Sequence, residues 1–166
     1  SVNVLVSILN WNGIDTTRAC LNSLRSLRES GITVVVSDNA SRDDEAAQLQ
    51  REYPDIEVLA NPENLGFAGG HNKVIDLAIS RGFDYIWILN NDCTVKDGDL
   101  AGLLAVAEAD PTIGLVSPVI ELPPVDGKRV ADLGCGFGWA SRWMRAQGAA
   151  SVQGFDLSEK MIARAR

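Results

Sequence analysis

Apolar, often β-branched runs alternate along the chain with stretches whose apolar residues recur at helical spacing. That alternation predicts an α/β domain built on a mostly parallel sheet flanked by helices. Val2–Leu9 reads as the first strand, followed by a helix carrying Cys20, Leu21, Leu24 and Leu27, with Asp15 or Thr16 as its N-cap. TVVVSD, Thr33–Asp38, is uniformly apolar until its last two residues, the pattern of a central parallel strand. Ser41 with Asp44 resembles a shortened capping box for the next helix. Ile56–Asn61 is a third strand, and a helix from about Gly70 follows, turning Val74, Ile75 and Ala78 inward and stopping at Gly82. Tyr85–Asn90 is a fourth strand and Leu100–Ala109 a helix closed by Asp110-Pro111. Gly114–Ile120 reads as a fifth strand, placed at an edge or bulged by Pro118.

The pattern then restarts. Residues 121–128, ELPPVDGK, hold a Pro-Pro pair and an Asp-Gly turn and read as a linker. Beyond them come a strand at RVADLG, a helix over Trp139–Gln147, a strand at SVQGFD and a last helix capped by Ser158. The expected organisation is therefore residues 1–120, the linker, and a β-α-β-α unit over 129–166.

Composition narrows the possibilities. With 166 residues, 46% hydrophobic and 22% charged, the chain has the make-up of a globular domain. A formal net charge of -7 argues against nucleic acid as a partner, although local backbone N–H groups can still hold a small anion. Three cysteines, Cys20, Cys93 and Cys135, form no C-x-x-C pair, so a reduced, cytoplasmic setting is expected. No apolar run approaches the roughly 18 residues of a membrane span, and the first residues lack the basic start of a signal peptide. The single histidine, His71, excludes zinc sites built on two or more.

Ligands of open α/β sheets bind outside the carboxyl ends of the strands, so polar residues there are candidates for chemistry. The first strand delivers Asn10, Trp11 and Asn12; the second, Asp38, Asn39 and Ser41. The third opens into NPENLGFAGGHN, Asn61–Asn72, and the fourth ends in Asn90, Asn91 and Asp92. Each has a plainer reading: Trp11 as a cap on the core, Asp38 as a turn residue, the glycine-rich loop as turn chemistry, Asp92 as a solvated carboxylate. Those readings must all hold at one edge of one sheet, which weakens them together.

The stretches VSILNWNG, VVVSDNASRD, NPENLGFAGGHN and WILNNDC resemble, in order and spacing, the motifs of family 2 glycosyltransferases of GT-A fold, rhamnosyltransferase-like members above all. The resemblance covers about residues 2–120. It implies that Trp11 stacks on the nucleobase of a UDP- or dTDP-linked sugar and that Asp38 accepts a hydrogen bond from the base. Asn10 and Asn12 flank that aromatic, and Asn64, Gly66 and Gly70 line the donor pocket. Asn90 and Asn91 lie against the ribose, and Asp92 holds Mg²⁺ or Mn²⁺ against the diphosphate. The family's motif more often begins with a second aspartate, so one carboxylate in place of two implies a weaker cation site that leans on the phosphates. Inverting transfer also needs a general base, which the family places beyond the fifth strand. The pattern stops near Ile120, and no residue here takes that role, so transfer is expected to be impaired.

In VADLGCGFG, Asp132 ends a strand, Gly134, Gly136 and Gly138 follow at alternate positions, and Asp156 ends the next strand. Such glycines let a backbone approach a ligand, and the distal acid can accept from ribose hydroxyls. The form differs from G-x-G-x-x-G. It resembles motif I of class I S-adenosylmethionine-dependent methyltransferases, over about residues 122–166. That resemblance implies that Gly134, Gly136 and Gly138, after Asp132, approach the cosubstrate, and that Asp156 holds its ribose. Structural turns in a generic βαβ unit are the alternative.

Two partial nucleotide-binding patterns thus follow one another, joined near Ile120–Val125. A constructed chimera is favoured over a faulty gene model or a truncated fusion. Three functions stay open: a sugar-nucleotide-binding, glycosyltransferase-like domain, which covers most of the chain; an S-adenosylmethionine-binding methyltransferase fragment; and an α/β scaffold without activity.

Overall fold

A computed structural model describes residues 2–118, 124, 126–133 and 139–155. The chain divides into two compact units, Ser1–Ser117 and Pro118–Arg166.

The first unit runs β1 (Val4–Asn10), α1 (Ile14–Ser23), α2 (Arg25–Glu29), β2 (Thr33–Asp38), α3 (Glu45–Glu52), β3 (Glu57–Ala60), α4 (Gly66–Ser80), β4 (Tyr85–Leu89) and α5 (Asp99–Ala109). Its four strands are all parallel, in the order β3-β2-β1-β4. The chain first steps outward from β1 to β2 and β3, then returns to the other side of β1 with β4. β1 is therefore the switch point, and its carboxyl end is where such sheets open a crevice.

Strand alternation explains the layering. Val6, Ile8, Val34 and Val36 face α1, α2 and α3, where they bury Cys20, Leu21, Leu24 and Leu49. Leu5 and Val35 face the other way, onto Val74 and Ala78 of α4. β1 and β2 are covered on both faces, which is why their sequence is almost continuously apolar. The register places Asn10 level with Asp38, and Ile8 level with Leu89. The polar residues that end these strands consequently share one rim.

Several boundaries differ from the sequence reading. The first helix breaks at Leu24 into α1 and α2, and its N-cap is Gly13, with no side-chain cap from Asp15 or Thr16. α3 starts at Glu45 after a left-handed Asp44, so Ser41 and Asp44 form no capping box; the Ser41 hydroxyl is used elsewhere. α4 begins at Gly66, four residues before Gly70, so the glycine-rich loop is mostly the first turn of a helix. Residues 114–118 do not form the expected fifth strand, and 119 and 120 lie outside the described residues. Pro118 lacks the N–H a sheet ladder needs, and the Leu115 side chain is exposed, so that stretch has neither the donors nor the burial of a central strand.

In the second unit, β5 (Arg129–Leu133) and β6 (Ser151–Phe155) pair in parallel around α6 (Trp139–Ala146). Gly127 and Gly148 adopt φ of 66° and 89° at its turns, and Gly127 N–H donates to the Gly148 carbonyl at 2.9 Å. A Cβ on Gly148 would run into the Asp126 carboxylate. No helix among the described residues is long and apolar enough to cross a membrane.

Candidate functional site

The rim of the first unit is organised around Asn10, which is fully buried. Its Nδ2 donates to Asp38 Oδ2 at 2.7 Å and to Glu45 Oε2 at 2.8 Å, with Ser41 Oγ at 3.1 Å. Its Oδ1 accepts from Thr17 Oγ1 at 2.6 Å, and Thr17 Oγ1 accepts from Asn91 Nδ2 at 3.0 Å. Two carboxylates, two hydroxyls and two amides therefore form one network of hydrogen bonds from β2 across β1 to the segment after β4. Asp38 is buried as well, and its Oδ1 accepts from the backbone N–H of Ser41 at 3.0 Å. All the polar atoms of Asn10 are engaged within the protein, so it sets its neighbours in place rather than offering a free group to a ligand.

Trp11 projects from this network with 57% of its surface exposed, which is not the behaviour of a cap on the core. Asn12, beside it, has φ of 49°; its N–H donates to Ser41 Oγ and its Oδ1 accepts from Arg42 N–H, each at 2.9 Å.

The α4 face carries a second network, made of neutral groups. Asn39 Nδ2 donates to the Gly66 carbonyl at 3.0 Å and to Asn64 Oδ1 at 3.2 Å, and Asn64 Oδ1 accepts from Gly66 N–H at 2.8 Å. Asn61 Nδ2 reaches Ser37 Oγ and Asn39 Oδ1. Gly70 lies so close to β1 that a Cβ would overlap Leu9 Cδ1 and crowd the Asn39 amide, which explains glycine there. These contacts seat the first turn of α4, with its positive dipole end, against the strand ends. Beneath it His71 is buried, with Nδ1 2.8 Å from Ser7 Oγ and its ring edge-to-face with the exposed Phe67 at 4.6 Å. Burial lowers the His71 pKa below its ordinary value, which keeps the imidazole neutral. Its Nε2 has no hydrogen-bond partner among the described residues.

The segment after β4 is more open. Asn90 and Asp92 are exposed and Asn91 half-buried. The Asn90 carbonyl accepts from Cys20 Sγ at 3.7 Å, and burial, with Cys93 and Asp92 adding like charge, pushes that thiol up to about 12. Among the described residues, Asp92 Oδ1 meets the Cys93 thiol, at 3.9 Å. Among the described residues no three His, Cys, Asp or Glu side chains group to hold a metal ion. One accessible carboxylate fits a cation that takes most of its oxygen ligands from a diphosphate and water, and does not fit a standing metal centre.

The structure thus brings Asn10, Asn12, Asp38 and Asn91 into one network, with Trp11 and Asp92 each adjacent in sequence to a member of it. Asn64, Gly66 and Gly70 sit on the α4 side of the same rim. Thr17, Glu45 and His71 were missed by the sequence reading. Each occupies the inward stripe of an amphipathic helix, three or four residues from Cys20 and Leu21, from Leu49 and from Val74 respectively, and a polar residue at such a position was the available signal. In the second unit Asp132 lies in β5, with no description of its side chain. Gly134, Gly136, Gly138 and Asp156 lie outside the described residues.

Comparison with known proteins shows the family. The family model described as glycosyl transferase family 2 matches residues 5–147, and the chain belongs to that family. A methyltransferase domain model matches residues 130–166, so the two matches overlap over 130–147, and the first runs past Ile120, where the motifs had placed its end. Among curated proteins, the chain is 28% identical over 111 residues to N-acetylglucosaminyl-diphospho-decaprenol L-rhamnosyltransferase of Mycobacterium tuberculosis, covering 62% of this chain and 36% of the relative. It is 26% identical over 118 residues to the SPbeta prophage-derived glycosyltransferase SunS of Bacillus subtilis, covering 71% and 27% respectively. The chain thus spans about a third of the length of these relatives. A solved S-adenosylmethionine-dependent methyltransferase from Mesorhizobium loti is 64% identical over 27% of this chain and 20% of its own, with a TM-score of 0.27. Matches to both families named from the motifs therefore occur in one chain, which is consistent with a chimera.

Proposed function

We propose that the rim of the first unit binds the nucleoside diphosphate of a nucleotide-diphosphate sugar, linked through UDP or dTDP. One observation carries the reading: a single hydrogen-bonded chain joins Asn91, Thr17, Asn10 and Asp38 beside an exposed Trp11. Trp11 offers a flat apolar face for a base, and Asp38 at the end of β2 is the acceptor assigned to the base. The first turn of α4, held by Asn39 and Asn64, presents N–H groups to phosphate oxygens. Asn90 can hydrogen-bond a ribose hydroxyl and Asp92 can take one coordination place of Mg²⁺ or Mn²⁺. Such a cation supplies charge neutralisation as the diphosphate leaves. No described side chain at this rim is placed as a general base, so we expect these 166 residues alone to bind donor and to transfer poorly. A cytoplasmic setting belongs to the same proposal.

A second reading, S-adenosylmethionine binding by residues 129–166, is favoured by the methyltransferase domain match and the β5-α6-β6 unit. Calorimetric titration with UDP and dTDP in the presence of Mn²⁺, and separately with S-adenosylhomocysteine, tests both. Heat in the first titration alone supports donor binding, and heat in the second alone transfers the function to the second unit. Heat in neither leaves a scaffold without either ligand.

A further inference from the structure

Glu45 belongs to none of the sequence motifs that mark the rim, yet it helps tie the end of β1 and the loop after it to the start of α3. It is the first residue of α3 and only 9% exposed, where the positive end of the helix favours its charge. Its Oε2 alone accepts from Asn10 Nδ2 at 2.8 Å and from Gly13 N–H at 3.2 Å. Those two donors bracket Trp11. The reciprocal bonds of Asn12 with Ser41 and Arg42 close the same junction from its outer side. All the non-glycine residues with positive φ among those described, Asn12, Ala40, Asp43 and Asp44, lie in these two loops. A backbone held in the left-handed region persists where its surroundings favour it, and at Asn12 the bonds across the junction do so.

An exposed indole binds a planar ring well only if its own freedom is already lost, since ordering it on binding would consume part of the stacking energy. From this arrangement we infer that Glu45 is a positioning residue that latches the β1–α1 loop to α3 and holds Trp11 ready to stack on the donor's base. The inference rests on the donor-binding reading for its ligand, and on hydrogen bonds alone for the latch.

The test is a double-mutant cycle read by UDP titration with Mn²⁺, together with amide hydrogen exchange on ligand-free protein. Glu45→Ala is expected to weaken UDP about tenfold, a typical loss for a coupled contact. In a Trp11→Ala background the same change is expected to add less than about twofold, because the residue it positions is gone. Glu45→Gln should stay within about threefold of wild type, since an amide oxygen can accept both bonds. If Glu45→Ala does not fold, Glu45→Asp replaces it in the cycle: one methylene shorter, it cannot reach both donors, and an intermediate loss confined to the Trp11 background is expected. Equal losses with and without Trp11 would show a general structural role and overturn the inference.

The exchange measurement separates the latch from the ligand. Gly13 N–H should exchange at least about tenfold faster in the alanine or aspartate variant, while Val6 and Val35 amides in the sheet keep their protection. If wild type binds no UDP, the donor reading fails while faster Gly13 exchange still supports the latch. Unchanged Gly13 exchange overturns the latch whether or not UDP binds.

Discussion

The ends of β1 and β2 and the end of β4 lie on one rim but are built to different standards. At β1 and β2, Asn10, Asp38 and Asn39 are buried, and every side-chain polar atom of Asn10 is bonded. After β4, Asn90 and Asp92 stand exposed, and among the described residues the Asp92 carboxylate has a single long thiol contact. The first region is finished before any ligand arrives. The second offers groups that a cation and a diphosphate could complete. The difference suits a donor whose base must be recognised by shape, while its charged end brings its own partners.

That contrast sets a scale of effects on stability. Asn10→Ala leaves the Asp38 and Glu45 carboxylates buried without their shared donor, and a loss of about 3 kcal/mol in urea denaturation is expected; a loss below about 1 kcal/mol would erase the distinction between the two regions. Gly70→Ala forces a methyl group onto Leu9 and Asn39, which should destabilise by about 2 kcal/mol in the same assay.

His71 is expected to contribute a smaller, pH-dependent effect. Its folded pKa lies below the unfolded value, so its contribution is fully present above about pH 6.5 and fades as pH falls toward the folded pKa. As the only histidine, it should account for most of any slope between about pH 7.5 and 5.5, at most about 1.4 kcal/mol per pH unit, and His71→Leu should flatten it. Asp92→Asn comes last, with a stability change within about 0.5 kcal/mol, because its side chain is exposed and its contact with Cys93 is long. The same variant should remove the Mn²⁺ enhancement of UDP affinity, measured by titration with and without the metal. An equal enhancement in wild type and variant would remove Asp92 from the cation's shell.

Much of this was legible in the chain. Thr33–Asp38 was read to the residue, because a strand covered on both faces leaves an unbroken apolar run. The rim residues followed from the rule that strand ends meet at one edge. Other features depend on tertiary partners. Glycines 66 and 69, ahead of the expected start near Gly70, read as a loop, yet they belong to α4, where the close approach of Gly70 to Leu9 and Asn39 offsets poor helix propensity. Ser41 reads as a helix cap, but a better use for its hydroxyl exists across the junction, at Asn12. Glu45 looks like one more acid after Asp43 and Asp44; only its spacing from Leu49 hints that it turns inward. The motif at Gly134–Gly138 lies outside the described residues, so its fit to a cosubstrate rests on sequence alone.

The central claim is that one ligand spans from Trp11 to Asp92. Paramagnetic broadening by Mn²⁺ in an amide and indole NMR spectrum addresses it directly. With UDP present, Mn²⁺ should broaden the resonances of Asn91, Asp92 and the first turn of α4, and the Trp11 indole N–H should shift; without UDP, Mn²⁺ should leave all of them sharp. Broadening that ignores UDP, or a Trp11 signal indifferent to it, would contradict a shared site.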